Sequence, residues 1–246
     1  MEELQESIQQ FQKMINECEN IVFFGGAGVS TASGIPDFRG SSGLYKKAPE
    51  YLLSYSYYKK HPDKFFEFYK DKVCALGYEP NITHIKLTEL EKAGKLKAII
   101  TQNIDGLHQM AGSKNVIELH GTIHKNHCEV CGRQFDAKYV KESDGVPKCD
   151  FCDSEYAEYA IVRPDIVLYE EMLPDGVISK SRKFISEADM LIIAGTSLNV
   201  YPAASLVDYF DGKYIVLINK GEVQKKTKAD LVIDADMTKV FSEIKV

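Results

Sequence analysis

Three polar side chains, Gln102, Asn103 and Asp105, stand within four residues directly after the short apolar run 98–101. A histidine, His120, ends a second apolar run at 115–119. Both runs read as buried strands, so the polar set falls at strand ends. In open α/β sheets ligands bind beyond the carboxyl ends of the strands, where side chains from neighbouring strands converge. An imidazole with an ordinary pKa near ~6.5 is suited to proton abstraction at neutral pH. The set is a candidate reaction site, against the plain reading that strands stop in polar turn residues.

A second constellation is metal-binding. Cys128-x2-Cys131, 17 intervening residues, and Cys149-x2-Cys152 have the spacing of a four-thiolate zinc site. Four thiolates fill a tetrahedral ion and leave no open position, so this zinc is structural. His124 and His127 lie close enough in sequence to substitute as ligands. A zinc ribbon can bind DNA, but acidic residues outnumber basic ones across 128–158, which disfavours nucleic acid.

A third stretch, residues 25–45, is rich in glycine and follows the apolar run 21–24. Glycine at a strand end lets the backbone approach a phosphate, and a helix amino terminus next to it favours the charge. Gly26-Ala27-Gly28 fits that logic, although Thr31 stands where the dinucleotide fingerprint wants a small third residue. Asp37-Phe38-Arg39-Gly40 lies in a loop too polar for a core. There an arginine can pair with a pyrophosphate and an exposed phenylalanine can cover a planar ring.

The elements that must position these groups follow from periodicity. Leu4, Ile8, Phe11, Ile15 and Cys18 form one stripe of a helix over 3–18, so Cys18 is expected as a buried, inert thiol. Residues 46–79, rich in Tyr, Phe and Lys, read as a helical insertion with Pro62 in a first turn. Asn81 caps a helix with Ile82, Ile85 and Leu90 on its stripe and Gly94 at its end; His84 within it and Cys74 before it read as packed. After Ile161, strands are expected at 166–168, 190–194, 214–218 and 231–233, with a helix over 177–188 and another from Pro202. Gly195-Thr196-Ser197 and Asn219 each follow one of these strands. Strands alternating with helices indicate an α/β fold with a mostly parallel sheet, into which the zinc segment is inserted.

The chain of 246 residues can bury a sizeable core, and its 44% apolar and 27% charged residues are ordinary for a globular protein. No apolar run reaches membrane-span length and no secretory signal is visible, so a cytoplasmic protein with no membrane partner is expected. The net charge of −6 argues against a nucleic-acid grip. Six cysteines in such a chain suggest metal or free thiols before disulfides.

Taken together, the motifs resemble the sirtuins, NAD-dependent protein lysine deacylases. The resemblance rests on Gly26-Ala27-Gly28-Val29-Ser30, Gly34-Ile35-Pro36-Asp37-Phe38-Arg39, Thr101-Gln102-Asn103-Ile104-Asp105, His108, Glu118-Leu119-His120-Gly121, the two cysteine pairs, Val162-Arg163-Pro164, Gly195-Thr196-Ser197 and Ile218-Asn219. It implies a Rossmann-type domain (1–34, 81–121 and 160–246), a cofactor loop and helical insertion (35–80) and a zinc module (122–159). It further implies that Ala27, Gly28 and Thr31 line the pyrophosphate and ribose side of NAD. Phe38 and Arg39 would sit on the cofactor loop, Gln102 and Asn103 at the nicotinamide ribose, and Ile104 and Asp105 at the carboxamide. Thr196, Ser197, Asn219 and Met237 would contact the adenosine half. His120 would be the general base, with Asn103 beside it in the catalytic pair.

The resemblance also implies a peptide cleft between Val167-Leu168-Tyr169 and Leu198-Asn199-Val200-Tyr201, with Val167, Tyr169 and Val200 as substrate contacts. Where the family usually reads Phe-Gly-Glu, this chain has Tyr169-Glu170-Glu171, and the charge of Glu170 suggests basic peptide flanks. Relatives that remove succinyl or malonyl groups carry Tyr-x-x-Arg; here Tyr69 is kept but Lys72 replaces the arginine, without its bidentate fork. Deacetylation of protein lysines by a monomer is therefore the expectation, with acidic or longer acyl groups and protein ADP-ribosylation as alternatives. A hydride-transferring dehydrogenase and a non-catalytic zinc-ribbon module that senses NAD are the rivals from other classes.

Overall fold

A computed structural model of the chain describes residues 2–40, 43–46, 48–221 and 228–246. Short β-branched and aromatic runs bounded by glycine or polar residues form strands covered on both faces, the pattern of a parallel sheet. The strands are β1 (Ile21–Gly25), β2 (Leu96–Thr101), β3 (Val116–Glu118), β4 (Gly121–Cys128), β5 (Gln134–Phe135), β6 (Val162–Ile166), β7 (Met190–Ala194), β8 (Tyr214–Ile218) and β9 (Leu231–Ile233). Six of them form one parallel sheet in the order β3-β2-β1-β7-β8-β9. The direction of winding reverses between β1 and β7, the place where doubly wound sheets open a crevice for ligands.

Alternating side chains send the two faces of this sheet into separate cores. Phe23, Ile99, Ile192 and Val216 pack with Phe11 and Ile15 of the helix Glu2–Glu17 and Phe241 of the helix Met237–Glu243. Phe24, Ile100, Ile193 and Leu217 pack with Ile185 of the helix Val177–Glu187 and with Leu206. Gly25, Thr101, Glu118 and Ala194 lie in register at the carboxyl end.

The remaining strands form a small antiparallel sheet, β5-β4-β6. Its core, with Ile123, Val162 and Ile166, is shared with Phe65, Phe66 and Tyr69 of the helical insertion. That insertion contains the helices Tyr55–Lys60 and Pro62–Phe68, and Pro62 occupies the first turn as its fixed φ favours.

Several expectations are corrected. The strand expected at 166–168 is β6, Val162–Ile166, and it belongs to the small sheet. Its burial alternates along Val162, Pro164 and Ile166, the period-two signature of a half-solvated antiparallel strand rather than of a parallel core strand. The expected boundary at residue 160 thus falls just before a strand of the small sheet. No long helix follows β1; the chain makes two 3-10 turns, Ala27–Val29 and Thr31–Ser33. Ile85 is exposed, and the buried face of the helix Ile82–Lys92 is carried by Leu87, Leu90 and the polar pair Thr83 and His84. Cys18 is buried as expected, and burial pushes its thiol up to about 11, which keeps it protonated and inert.

The two loops at the reversal of strand order touch backbone to backbone. The Gly28 N–H donates to the Gly195 carbonyl at 2.9 Å, and a Cβ on Gly28 would lie 2.7 Å from the Gly195 Cα. Gly28→Ala is therefore expected to cost about 1–3 kcal/mol of stability through overpacking, read as a lowered denaturant midpoint.

Candidate active site

The polar groups at the strand ends form one hydrogen-bonded set. Ser30, buried behind the Gly26–Gly28 loop, is its centre: its Oγ donates to Asp105 Oδ2 at 2.7 Å and accepts from Asn103 Nδ2 at 3.1 Å. Asp105 Oδ1 accepts from the Leu107 N–H at 3.0 Å, and the Asn103 N–H donates to Thr101 Oγ1 at 3.0 Å. Asn103 and Asp105 are themselves buried, so these bonds replace water and fix their rotamers. The role of Ser30 as a hub was not legible in the sequence, where it stood only as the last residue of a glycine motif.

Gln102 spans the sheet ends. Its Nε2 donates to Thr196 Oγ1 at 2.9 Å, which also accepts from the Leu198 N–H at 3.2 Å. The Gln102 carbonyl accepts from the Nδ1 of His120 at 2.9 Å, since a carbonyl can only accept. This fixes the neutral tautomer and leaves Nε2 as the acceptor nitrogen of the ring. Burial lowers the pKa of His120 below the ordinary imidazole value, and the bond to Gln102 works against that shift. His120 lies with Leu119 between β3 and β4, where the chain leaves the large sheet for the small one, and its carbonyl accepts from the Val167 N–H at 2.9 Å.

The other expected site residues are placed as follows. Thr31 is exposed, and its hydroxyl donates to the Gly28 carbonyl at 2.9 Å, beside half-exposed Ala27. Ile104 is half-buried against the small-domain core. Met237 packs by its methyl against Gly195, where an added Cβ would lie 2.9 Å from Met237 Cε. Asn219 follows β8, its N–H on the Ile233 carbonyl at 3.2 Å, and Ser197 is half-exposed beside Thr196. Phe38 packs on Tyr45 with ring centroids 5.2 Å apart, and Arg39 pairs with Glu50 at 2.9 Å. Tyr169 spends both backbone groups on Leu53 and Tyr55, and the Val200 carbonyl accepts from the Ala204 N–H at 2.8 Å.

Two substrate expectations are not brought to the strand ends. Tyr69 is fully buried and stacks on Phe65 inside the helical insertion. Lys72 pairs with Asp71 at 2.9 Å and lines a small pocket with Ile35, Pro36 and Lys141. Glu170 is exposed, and its carboxylate accepts from the Ser56 N–H at 2.8 Å and the Ser56 hydroxyl at 2.9 Å. It holds the left-handed backbone (φ 77°) that explains glycine in the family pattern, and this clasp offsets the cost of a Cβ there.

The cysteines fit one metal ion. Zn–S bonds of about 2.3 Å set tetrahedral S···S edges near ~3.8 Å. The Sγ atoms of Cys128 and Cys152 lie 3.6 Å apart, those of Cys131 and Cys149 3.8 Å apart, and all four fall within 4.8 Å. The Val130 N–H points at Cys128 Sγ at 3.4 Å, as a metal-binding knuckle requires. Neither nearby histidine joins the cluster. His124 Nε2 donates to the Asp105 carbonyl at 2.8 Å, and His127 pairs with Asp165. NAD also finds a fitting cradle: two strand-end loops with glycine on both sides, flanked by the Asn103–Ser30–Asp105 set.

An α/β fold with a crevice at the reversal of strand order, and a four-thiolate ribbon beside it, defines a nucleotide-binding enzyme with a structural zinc module. The Sir2 family model matches residues 26–202, and the chain belongs to that family. A relative from Clostridium acetobutylicum described as an NAD-dependent protein deacetylase is 52% identical over 98% of this chain and 99% of its own. Among solved structures, a Sir2 with a deacetylated p53 peptide and 3′-O-acetyl ADP ribose is 37% identical with a TM-score of 0.88, covering 96% of each chain. A Sir2–p53 peptide–NAD+ structure is 36% identical with a TM-score of 0.83, covering 96% of this chain and 95% of that one.

Replacing Cys128 by serine is expected to remove bound zinc, read as a fall from one metal per chain in a thiol-reactive metal assay, and to expose the small sheet to protease. A second test concerns acid. His84 and His108 are buried with ring centroids 4.7 Å apart, and burial pushes His84 down to about 4 and His108 well below its usual value, against the pull of Asp105 on His84. The unfolded chain therefore takes protons first. Stability is expected to hold above pH 6.5 and to fall toward pH 4, by on the order of 3 kcal/mol from His84, measured by urea unfolding across that range.

Proposed function

We propose that the chain is an NAD-dependent protein deacetylase in which His120 is the general base. Acetyl-lysine, NAD and water give lysine, nicotinamide and O-acetyl-ADP-ribose. The observation that carries this reading is the orientation of His120, whose Nδ1–H is bound to the Gln102 carbonyl and whose Nε2 is left to accept a proton.

NAD, when bound, supplies an electrophilic ribose carbon with nicotinamide as its leaving group. Gln102 and Asn103 hold the ribose, and their own side-chain bonds to Thr196 and Ser30 keep them aimed. Ile104 and Asp105 take the carboxamide; each oxygen of Asp105 already accepts one bond and keeps a second acceptor position. Thr196, with two bonds accepted, has its hydroxyl hydrogen left to donate toward the adenosine half, alongside Ser197, Asn219 and Met237. Ala27, Gly28 and Thr31 line the pyrophosphate side, where Arg39 adds charge, and Phe38 shields the nicotinamide side from water. His120 Nε2 takes the proton of a ribose hydroxyl, as the neutral ring can do at pH 7. An acyl-lysine peptide runs past Val167 and Tyr169 on one side and Val200 on the other, which holds its weakly nucleophilic amide oxygen near the ribose. Zinc, on Cys128, Cys131, Cys149 and Cys152, ties the ends of the small domain together.

The burial of Tyr69 and the pairing of Lys72 with Asp71 favour acetyl over succinyl. NAD and the peptide meet in the cleft between the large domain and the inserted parts. We place the activity in a cytoplasmic monomer; no described helix is long and apolar enough to cross a membrane.

His120→Ala is expected to lower deacetylation by about 10²–10⁴-fold while NAD affinity stays near wild type. Mass spectrometry of acetyl-, butyryl- and succinyl-lysine peptides with and without NAD checks it. Activity of the wild type is expected to persist below pH ~6.5 before falling, because burial lowers the pKa of the base. Added ADP-ribosyl mass on a protein target, without acyl loss, favours the transferase instead.

A further inference from the structure

We propose that the hydroxyl of Tyr169 is a positioning group that couples the peptide strand to the dinucleotide loop, so that each ligand tightens the binding of the other. The proposal rests on the deacetylase reading above.

Tyr169 belongs to two parts of the site at once. Its N–H donates to the Leu53 carbonyl and its carbonyl accepts from the Tyr55 N–H, both at 3.0 Å, which makes a parallel bridge to Ser54. Two residues upstream, the Val167 N–H is bonded to the carbonyl of His120. The side chain of Tyr169 reaches the other way. Its hydroxyl accepts from Arg39 Nη2 at 3.0 Å and lies 3.0 Å from the hydroxyl of Tyr45. With one bond accepted from Arg39, it keeps its hydrogen for Tyr45. The same Nη2 gives its other hydrogen to Glu50 Oε1 at 2.9 Å. Both hydrogens of one guanidinium nitrogen are thus placed, one of them by Tyr169.

The loop is tied in through the same residues. The Arg39 guanidinium lies 5.2 Å from the centre of the Tyr45 ring, and the Tyr45 N–H donates to the Phe38 carbonyl at 2.9 Å. Fixing the Tyr169 oxygen therefore fixes Arg39 and Tyr45, and through them Phe38. The clasp of Glu170 on Ser56 holds the neighbouring backbone, so the oxygen has a defined position. A peptide that adds main-chain bonds beside Val167 orders this strand further. Arg39 then has less freedom to lose when a pyrophosphate arrives. By linkage, the dinucleotide must favour the peptide by the same factor.

A phenylalanine at 169 keeps the ring and every backbone bond and removes only the oxygen. The test is calorimetry on the full, zinc-loaded chain with ADP-ribose as a non-reacting probe, titrated with and without a saturating acetyl-lysine peptide. In the wild type the peptide is expected to tighten ADP-ribose by about fivefold or more. In Tyr169→Phe that ratio is expected to fall close to one. Tyr45→Phe, which keeps the Arg39–Tyr169 bond, is expected to retain most of the ratio. A wild-type ratio in Tyr169→Phe, or a ratio of one in the wild type, overturns the proposal alone. Failure of the wild type to bind the acetylated peptide or ADP-ribose overturns the deacetylase reading and the proposal with it.

Discussion

The structure depends on a close approach of two backbones at the carboxyl ends of β1 and β7. Gly28 and Gly195 meet there without side chains between them, and the Gly28 N–H is bonded to the Gly195 carbonyl. The sheet winds outward in opposite directions from these two strands, the place where doubly wound sheets open a crevice. The loops close on each other there, with the side chains of Gln102 and Thr196 bonded beside the junction. Met237 at one flank and Thr196 at the other are held by this same junction.

Around the junction the polar groups are arranged before any ligand is present. Ser30 locks Asn103 and Asp105, and Gln102 is locked by Thr196 and holds His120 in turn. A buried set of this kind is costly if any member lacks a partner, so the hydrogen bonds that satisfy it also orient it. Orientation paid in folding need not be supplied at the moment of reaction. His120 gains a fixed tautomer this way, which its sequence position alone could not provide.

The small domain enters the site through a short stretch of chain. β3 of the large sheet ends at Glu118, His120 follows in the turn, Gly121 begins the small sheet, and a Cβ at Gly121 would collide with the Asp165 carbonyl oxygen. β4 and β6 run side by side from Gly121 and Ile166, next to His120 and Val167, to Cys128 and Val162. The four thiolates hold the far end of this sheet, away from the polar set. They lie at the Cys128–Val162 end of the β4–β6 pairing.

Much of this was legible in residue order. The cysteine spacing specified a tetrahedral thiolate site because each pair must bend through one turn, a local requirement. The parallel sheet and its strand-end polar residues followed from short apolar runs ended by polar groups, since a strand buried on both faces leaves little choice of residue. Other features were decided only by contacts between distant segments. Whether 166–168 joined the large or the small sheet depended on which partner β6 found, and an apolar run does not encode a partner. The glycines at 26 and 28 read as a phosphate cradle, yet Gly26 lies against Thr196 and Gly28 against Gly195, both remote in sequence. Ser30, Tyr169 and Glu170 took their roles from Asp105, Arg39 and Ser56, each brought near by the fold. The sequence by itself determined the chemistry of the groups and the fold class that carries them. The tertiary structure decided which groups are already engaged, because a hydrogen bond depends on distance in space and not on separation along the chain.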